Sequence, residues 1–189
     1  MADTSVDWEL ARQVATKIGD RNSAVSSYHY GTLSPDFERF TAQAEELVAE
    51  TTGLVSQMGN ARGRVADRPM WIDANIDSFQ RLLKPLSKKL VNSDTSLLKE
   101  FGSKASGAEM GMLLGWLSGR VLGQYDLLII EDENPEDQDI VYYVGPNVLA
   151  IEKKYGFPPE EFRLWLALHE CTHRAQFTGV PWLRDHFLG

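Results

Sequence analysis

The sequence has 189 residues, 43% of them apolar, enough for one ordinary core. A formal net charge of −8 excludes a broad phosphate-binding surface, and no basic cluster exceeds pairs such as Arg62/Arg64 and Lys88/Lys89, so nucleic acid is not an expected partner. One cysteine excludes an internal disulfide and fits a reducing compartment, while Met1 to Asp7 lack the basic start and apolar centre of a secretory signal, so a cytoplasmic location is expected.

Apolar side chains at Trp8, Ala11, Val14, Ala15 and Ile18 form a helical stripe over Asp7 to Ile18, stopped by Gly19 and Asp20. A polar loop holding His29 follows, where a solvent-exposed or hydrogen-bonded role is expected for that imidazole. Ser34-Pro35-Asp36 reads as an N-cap with proline at the first helical position, opening a helix to Thr52. Met58 to Asp67, with Gly59, Asn60 and Gly63, read as a connection. Pro69 opens a helix through Trp71, Ile72, Ile76 and Phe79 toward Leu83, kinked or restarted at Pro85.

Glycines at 107, 111, 115, 119 and 123 recur every fourth residue inside an apolar, helical stretch. Each interior glycine costs a helix about 1 kcal/mol relative to alanine, so another backbone is expected to approach closely along the stripe. The HExxH helix described below is the expected neighbour. The most apolar window, Met110 to Leu122, contains Arg120 and falls short of a membrane span. Leu127 to Ile130 and Ile140 to Val144 read as strands joined by a solvated acidic loop; Asp137 and Asp139 lack the glycine and later glutamate of a calcium loop. Pro146-Asn147 begin a helix closed by Gly156, and Pro158-Pro159-Glu160-Glu161 start the next. The fold class is thus mainly α with a small β element, α+β, with no internal repeat or linker.

The last long helix carries His169-Glu170-Cys171-Thr172-His173, an HExxH pattern. Imidazoles four apart project from successive turns of one face, close enough to hold one divalent ion. At about 100° per residue Glu170 falls beside that face, where its carboxylate reaches a metal-bound water without being a ligand. Phe162, Trp165 and Leu166 lie on the histidine side and Leu164, Ala167, Leu168, Cys171 and Ala175 on the other, which predicts a helix buried all round. Cys171 points away from the histidines and reads as a core residue. The extended run before this helix is a candidate edge strand for a bound peptide.

Zinc is therefore the expected cofactor, with His169 and His173 as ligands, Glu170 as general base, and a peptide or protein as substrate. Glu170 would take a proton from the attacking water and return it to the leaving amine. A third ligand is needed. Arg174 to Gly179 lack the glycine and histidine of the metzincin extension, and no glutamate follows Gly179. Asp185 and His186 remain, with His186 preferred and Asp185 an alternative partner for a ligand ring. Tyr142, Tyr143, Tyr155 and Arg174 are candidate oxyanion donors.

Val121-Leu122-Gly123-Gln124-Tyr125-Asp126, Tyr143-Val144-Gly145-Pro146-Asn147, and Trp165 to His173 continuing through Pro181-Trp182-Leu183-Arg184 together resemble a bacterial zincin-like family. Its members are described as zinc-dependent metalloproteases or hydrolases linked with biosynthesis of a deazaflavin cofactor. The similarity is clearest from Pro69 onward. It implies a zincin-type active helix in a largely helical domain, with His169 and His173 as zinc ligands and Glu170 as base. Residues 1–189 are expected to form a single zincin-like domain, with Gly189 a candidate truncation point because family members continue further. A non-catalytic zincin-fold binding or scaffold protein, or a truncated inactive fragment, is the alternative.

Overall fold

The structure, a computed structural model, describes residues 6–19, 28–90, 96–125 and 139–188. In chain order these form α1 (Trp8–Gly19), a 3-10 turn (Tyr28–Thr32), α2 (Leu33–Thr52), β1 (Arg62–Ala66), α3 (Arg68–Leu90), α4 (Ser96–Ser118), β2 (Gly123–Tyr125), β3 (Ile140–Val144), α5 (Gly145–Tyr155), α6 (Pro159–Gly179) and α7 (Leu183–Leu188). The protein is mostly helical with a small sheet, the α+β class expected. The contacts divide the chain into two compact units, Met1–Ser23 with Arg68–Arg120, and Ala24–Asp67 with Val121–Gly189.

The first unit is built from α1, α3 and α4. Gly107, Gly111 and Gly115 form a groove that receives the α1 backbone: a methyl at 111 would lie 2.5 Å from the Ala11 carbonyl oxygen, and one at 115 would lie 2.9 Å from that of Ala15. Close backbone approach is the compensation the stripe required, and its partner is α1 rather than the HExxH helix. Helix α4 stops at Ser118, so Gly119 and Gly123 lie outside it. Arg12 donates to Asp73 at 2.6 Å, and Arg68 donates to the Gly19 carbonyl at 3.0 Å, tying α1 to α3. Helix α3 runs unbroken past Pro85.

The second unit holds the sheet, in the order β1-β3-β2, with β1 parallel and β2 antiparallel to β3. Every residue of β3 is buried, as a five-residue apolar run between two neighbours must be. The expected edge strand is therefore the central one. Two strands escaped the sequence pattern: β1, read as connection, has charged Arg62 and Arg64 around Gly63, and β2 is three residues long. Gly63 lets α2 cross close over β1, since a methyl there would lie 2.5 Å from Thr41 Oγ1. Phe37 of α2 stacks on Tyr143 of β3 with ring centroids 3.9 Å apart, and Thr41 and Tyr143 share a buried hydrogen bond of 2.8 Å. Helix α2 begins at Leu33, directly after the 3-10 turn, so Ser34 lies inside it rather than capping it. It ends as glycine chemistry dictates, with Gly53 at φ 71° donating its N–H to the Ala49 carbonyl. The expected strand Leu127–Ile130 and the acidic loop up to residue 138 lie outside the described residues.

Candidate active-site helix

Helix α6 buries one stripe: Arg163, Leu166, Ala167, Glu170, Cys171, Arg174, Ala175 and Thr178. These positions follow the spacing of a helix packed along one side. His169 and His173 lie on the opposite, exposed side, together with Trp165, which is 55% exposed. The expectation of a helix buried all round is thus corrected. Trp165 misled the wheel, because it looks like a core residue but lies on the open face.

The buried stripe is anchored by two arginines. Arg163 makes a forked pair with Glu152 of α5, at 2.7 and 2.9 Å, and reaches Asp36 of α2 at 2.6 Å. Arg174 is 2% exposed; it donates twice to Asp139, at 2.9 and 2.6 Å, once to Glu45 of α2 at 2.6 Å, and once to the Gly59 carbonyl at 2.7 Å. Burial alone would lower the arginine pKa, but these carboxylates hold it above its ordinary value. Planar, five-donor guanidinium groups suit such buried forks. Together they fix the rotation of α6 and leave the histidines facing outward.

On the open side, rings follow one another from Tyr155 through Phe157, Phe162 and Trp165 to His169 and His173. Trp165 stacks on His169 at 5.9 Å, and the two imidazoles stand nearly perpendicular, 4.8 Å apart. Glu170 points inward, 5% exposed, against the backbone of β2. Burial pushes its carboxyl up to about 7, against the opposing effect of a hydrogen bond from the Tyr125 N–H. Cys171 is buried, donates to the Thr41 carbonyl at 3.7 Å, and has its thiol pushed up to about 12 by burial, as a packing residue would. A cavity of about 200 Å³ opens on this inner side of α6, between Glu45, Leu54, Cys171 and Arg174, away from the histidines.

The structure brings His169 and His173 together on the open face of α6 and turns Glu170 of the same helix inward against β2. It does not add His186, which is exposed on α7 with its ring edge-on to Trp182 at 5.9 Å. Among the described residues no three His, Cys, Asp or Glu side chains gather as a metal-binding group. Two of the candidate oxyanion donors are already engaged: the Tyr143 hydroxyl with Thr41, and Arg174 with its carboxylates. Sequence reasoning missed Gly123 and the Tyr125 amide, the two groups of β2 that face Glu170. A short strand leaves almost no pattern, and Gly123 was absorbed into the glycine series.

Residues 6–189 match the model of the zincin-like metallopeptidase family. The chain belongs to that family. A solved structure from Chloroflexus aurantiacus, described as a putative hydrolase with a novel fold, is 34% identical and superposes with a TM-score of 0.75 over 96% of this chain. The match takes in 56% of that structure, so this zincin-like chain spans little more than half the neighbour's length. No curated protein matches the chain. The family implies a metal, typically zinc, and the donor chemistry fits in part: adjacent imidazoles on an accessible face are two of the donor groups that a zinc site uses, with the Glu170 carboxyl turned inward on the same helix.

Proposed function

We propose that this chain is a zinc-dependent hydrolase of peptide bonds in which His169 and His173 hold the metal and Glu170 is the general base. The observation that supports it is the division of labour on α6: two imidazoles on the open face, and the carboxyl between them in sequence buried against β2. Zinc bound there supplies Lewis acidity and acidifies a water molecule. The chain's own groups do the rest. Trp165 orients the His169 ring by stacking, and the two arginine forks keep the pair facing the substrate side. Glu170, with its carboxyl near neutrality, accepts a proton from the attacking water and delivers it to the departing amine. The exposed rings of Trp165, Phe157 and Tyr155 offer apolar surface to a peptide's side chains.

The test is metal analysis of protein purified without added zinc, with about one equivalent expected. Less than about half an equivalent, with no gain on adding zinc, sinks the proposal. Glu170→Gln should keep the metal and lose hydrolysis of fluorescently labelled casein. A second reading, a non-catalytic zincin-fold binding protein, is favoured by the lack of a three-residue metal group among the described residues. It predicts less than about half an equivalent of metal and no hydrolysis from the unmodified chain. We place the protein in the cytoplasm, and take the resemblance's link to deazaflavin biosynthesis as its setting; unchanged deazaflavin content in a deletion strain would remove that link.

A further inference from the structure

Beyond the histidine pair, the candidate site holds a close approach between a helix and a strand. Gly123 opens β2, pairs with Tyr143 of β3, and lies directly against the Glu170 side chain. A methyl group at 123 would stand 2.7 Å from both Cγ and Oε1 of Glu170 and 2.9 Å from Cδ. Carbon and oxygen atoms do not approach that closely without displacement. Two residues along the same strand, the Tyr125 N–H donates to the same carboxylate. The carboxyl group therefore meets β2 at two points, the bare backbone of Gly123 and the N–H of Tyr125. The strand itself is held in place: its register with β3 runs from Gly123 opposite Tyr143 to Tyr125 opposite Val141, and the Val144 N–H extends the pairing to the Leu122 carbonyl at 2.8 Å.

We propose that β2, through Gly123 and the Tyr125 amide, is the element that positions the Glu170 carboxylate, and that Gly123 is required because any side chain there takes the space the carboxyl occupies. Gly123 is a positioning residue, acting through Glu170. This rests on the role given to Glu170 above, but the packing relation can be tested without any metal or substrate. No φ constraint explains the glycine, since Gly123 is not among the residues at positive φ. Space alone selects it.

The experiment is a double-mutant cycle on the full 189-residue chain, combining Gly123→Ala with Glu170→Ala, read by thermal unfolding. Gly123→Ala alone should lower Tm by roughly 4–8 °C, the effect of forcing one extra methyl into a packed contact. In the Glu170→Ala background, where Cγ, Cδ and both oxygens are gone, the same substitution should cost less than about 2 °C. Equal losses in both backgrounds would mean that the methyl meets something other than Glu170, and would overturn the inference. If Gly123→Ala alone does not fold, recovery of folding in the double variant supports the inference and continued failure overturns it. A second readout separates positioning from mere packing. In protein labelled at glutamate carboxyl carbons, the Glu170 ¹³C resonance is identified by its loss in Glu170→Gln, and Gly123→Ala should move it; an unmoved resonance overturns the positioning role. If no variant binds zinc while the cycle shows coupling, the zinc assignment fails and the positioning relation stands.

Discussion

Replacing Arg174 by methionine keeps most of the side chain's volume and removes its charge. Four hydrogen bonds disappear: two to Asp139, one to Glu45 and one to the Gly59 carbonyl. The partners do not suffer equally. Glu45 is 28% exposed and also accepts from the Ala61 N–H at 2.8 Å, so water and that amide still serve it. Asp139 is 5% exposed, sits at φ 55°, and loses both N–H donors that Arg174 supplies. Stranding one member of a buried ion pair costs about 3–5 kcal/mol. With a urea m value of about 2 kcal/mol/M for a chain of this size, the unfolding midpoint of Arg174→Met should fall by about 2 M. Adding Asp139→Asn removes the stranded charge while keeping a residue that tolerates the left-handed backbone, and should recover about half of the loss or more. Urea titrations of the wild type, the single variants and the double variant make the measurement. A loss below about 1 kcal/mol for Arg174→Met, or no recovery on adding Asp139→Asn, would refute the idea that a desolvated ion network anchors α6.

The remaining predictions concern other parts of the molecule. Burial raises the folded-state pKa of Glu170 to about 7, so its contribution to stability is present below the ordinary glutamate pKa and is lost as pH rises through 7. In metal-free protein, denaturant titrations at pH 5 and pH 8 should therefore show Glu170→Gln gaining about 2–3 kcal/mol relative to wild type at the higher pH; a pH-independent difference contradicts the burial argument. In α4, Gly111→Ala places a methyl 2.5 Å from the Ala11 carbonyl oxygen and should destabilise by about 1–2 kcal/mol despite its better helix propensity. Gly102→Ala, with nothing within 4 Å, should stabilise by about 0.5–1 kcal/mol, and the two melting curves should move in opposite directions. Competition with a chromophoric zinc chelator should show that His169→Ala and His173→Ala each abolish tight binding, while His186→Ala, whose ring stands against Trp182, leaves the affinity within about twofold. A large loss from His186→Ala would restore it as the third ligand.

Local chemistry was legible wherever one segment carried its own signal. The stripe of Trp8 to Ile18, the Pro146 start and Gly156 stop of α5, and the proline and acids opening α6 all placed helices within a residue or two. The glycine series was read correctly as a close-approach surface, yet its partner was misassigned, because a small-residue groove states only that something backbone-like fits it. Helix α6 shows the same limit. Its wheel places apolar residues all round, and what decides which side is inside is the pairing of Arg163 and Arg174 with Asp36, Glu45, Asp139 and Glu152, residues up to 129 positions away. Buried arginines look like surface residues until their carboxylates are found.

The sequence by itself determined that this is a mainly helical chain with a HExxH helix, because helical period, capping and histidine spacing are properties of neighbouring residues. Tertiary structure decided the rest. It turned His169 and His173 outward and Glu170 inward, made Ile140–Val144 the central strand, and set Gly123 against the Glu170 carboxyl. The physical reason is that those outcomes depend on which distant groups satisfy a buried charge or fill a few ångströms of space, and no local pattern along the chain encodes the partner.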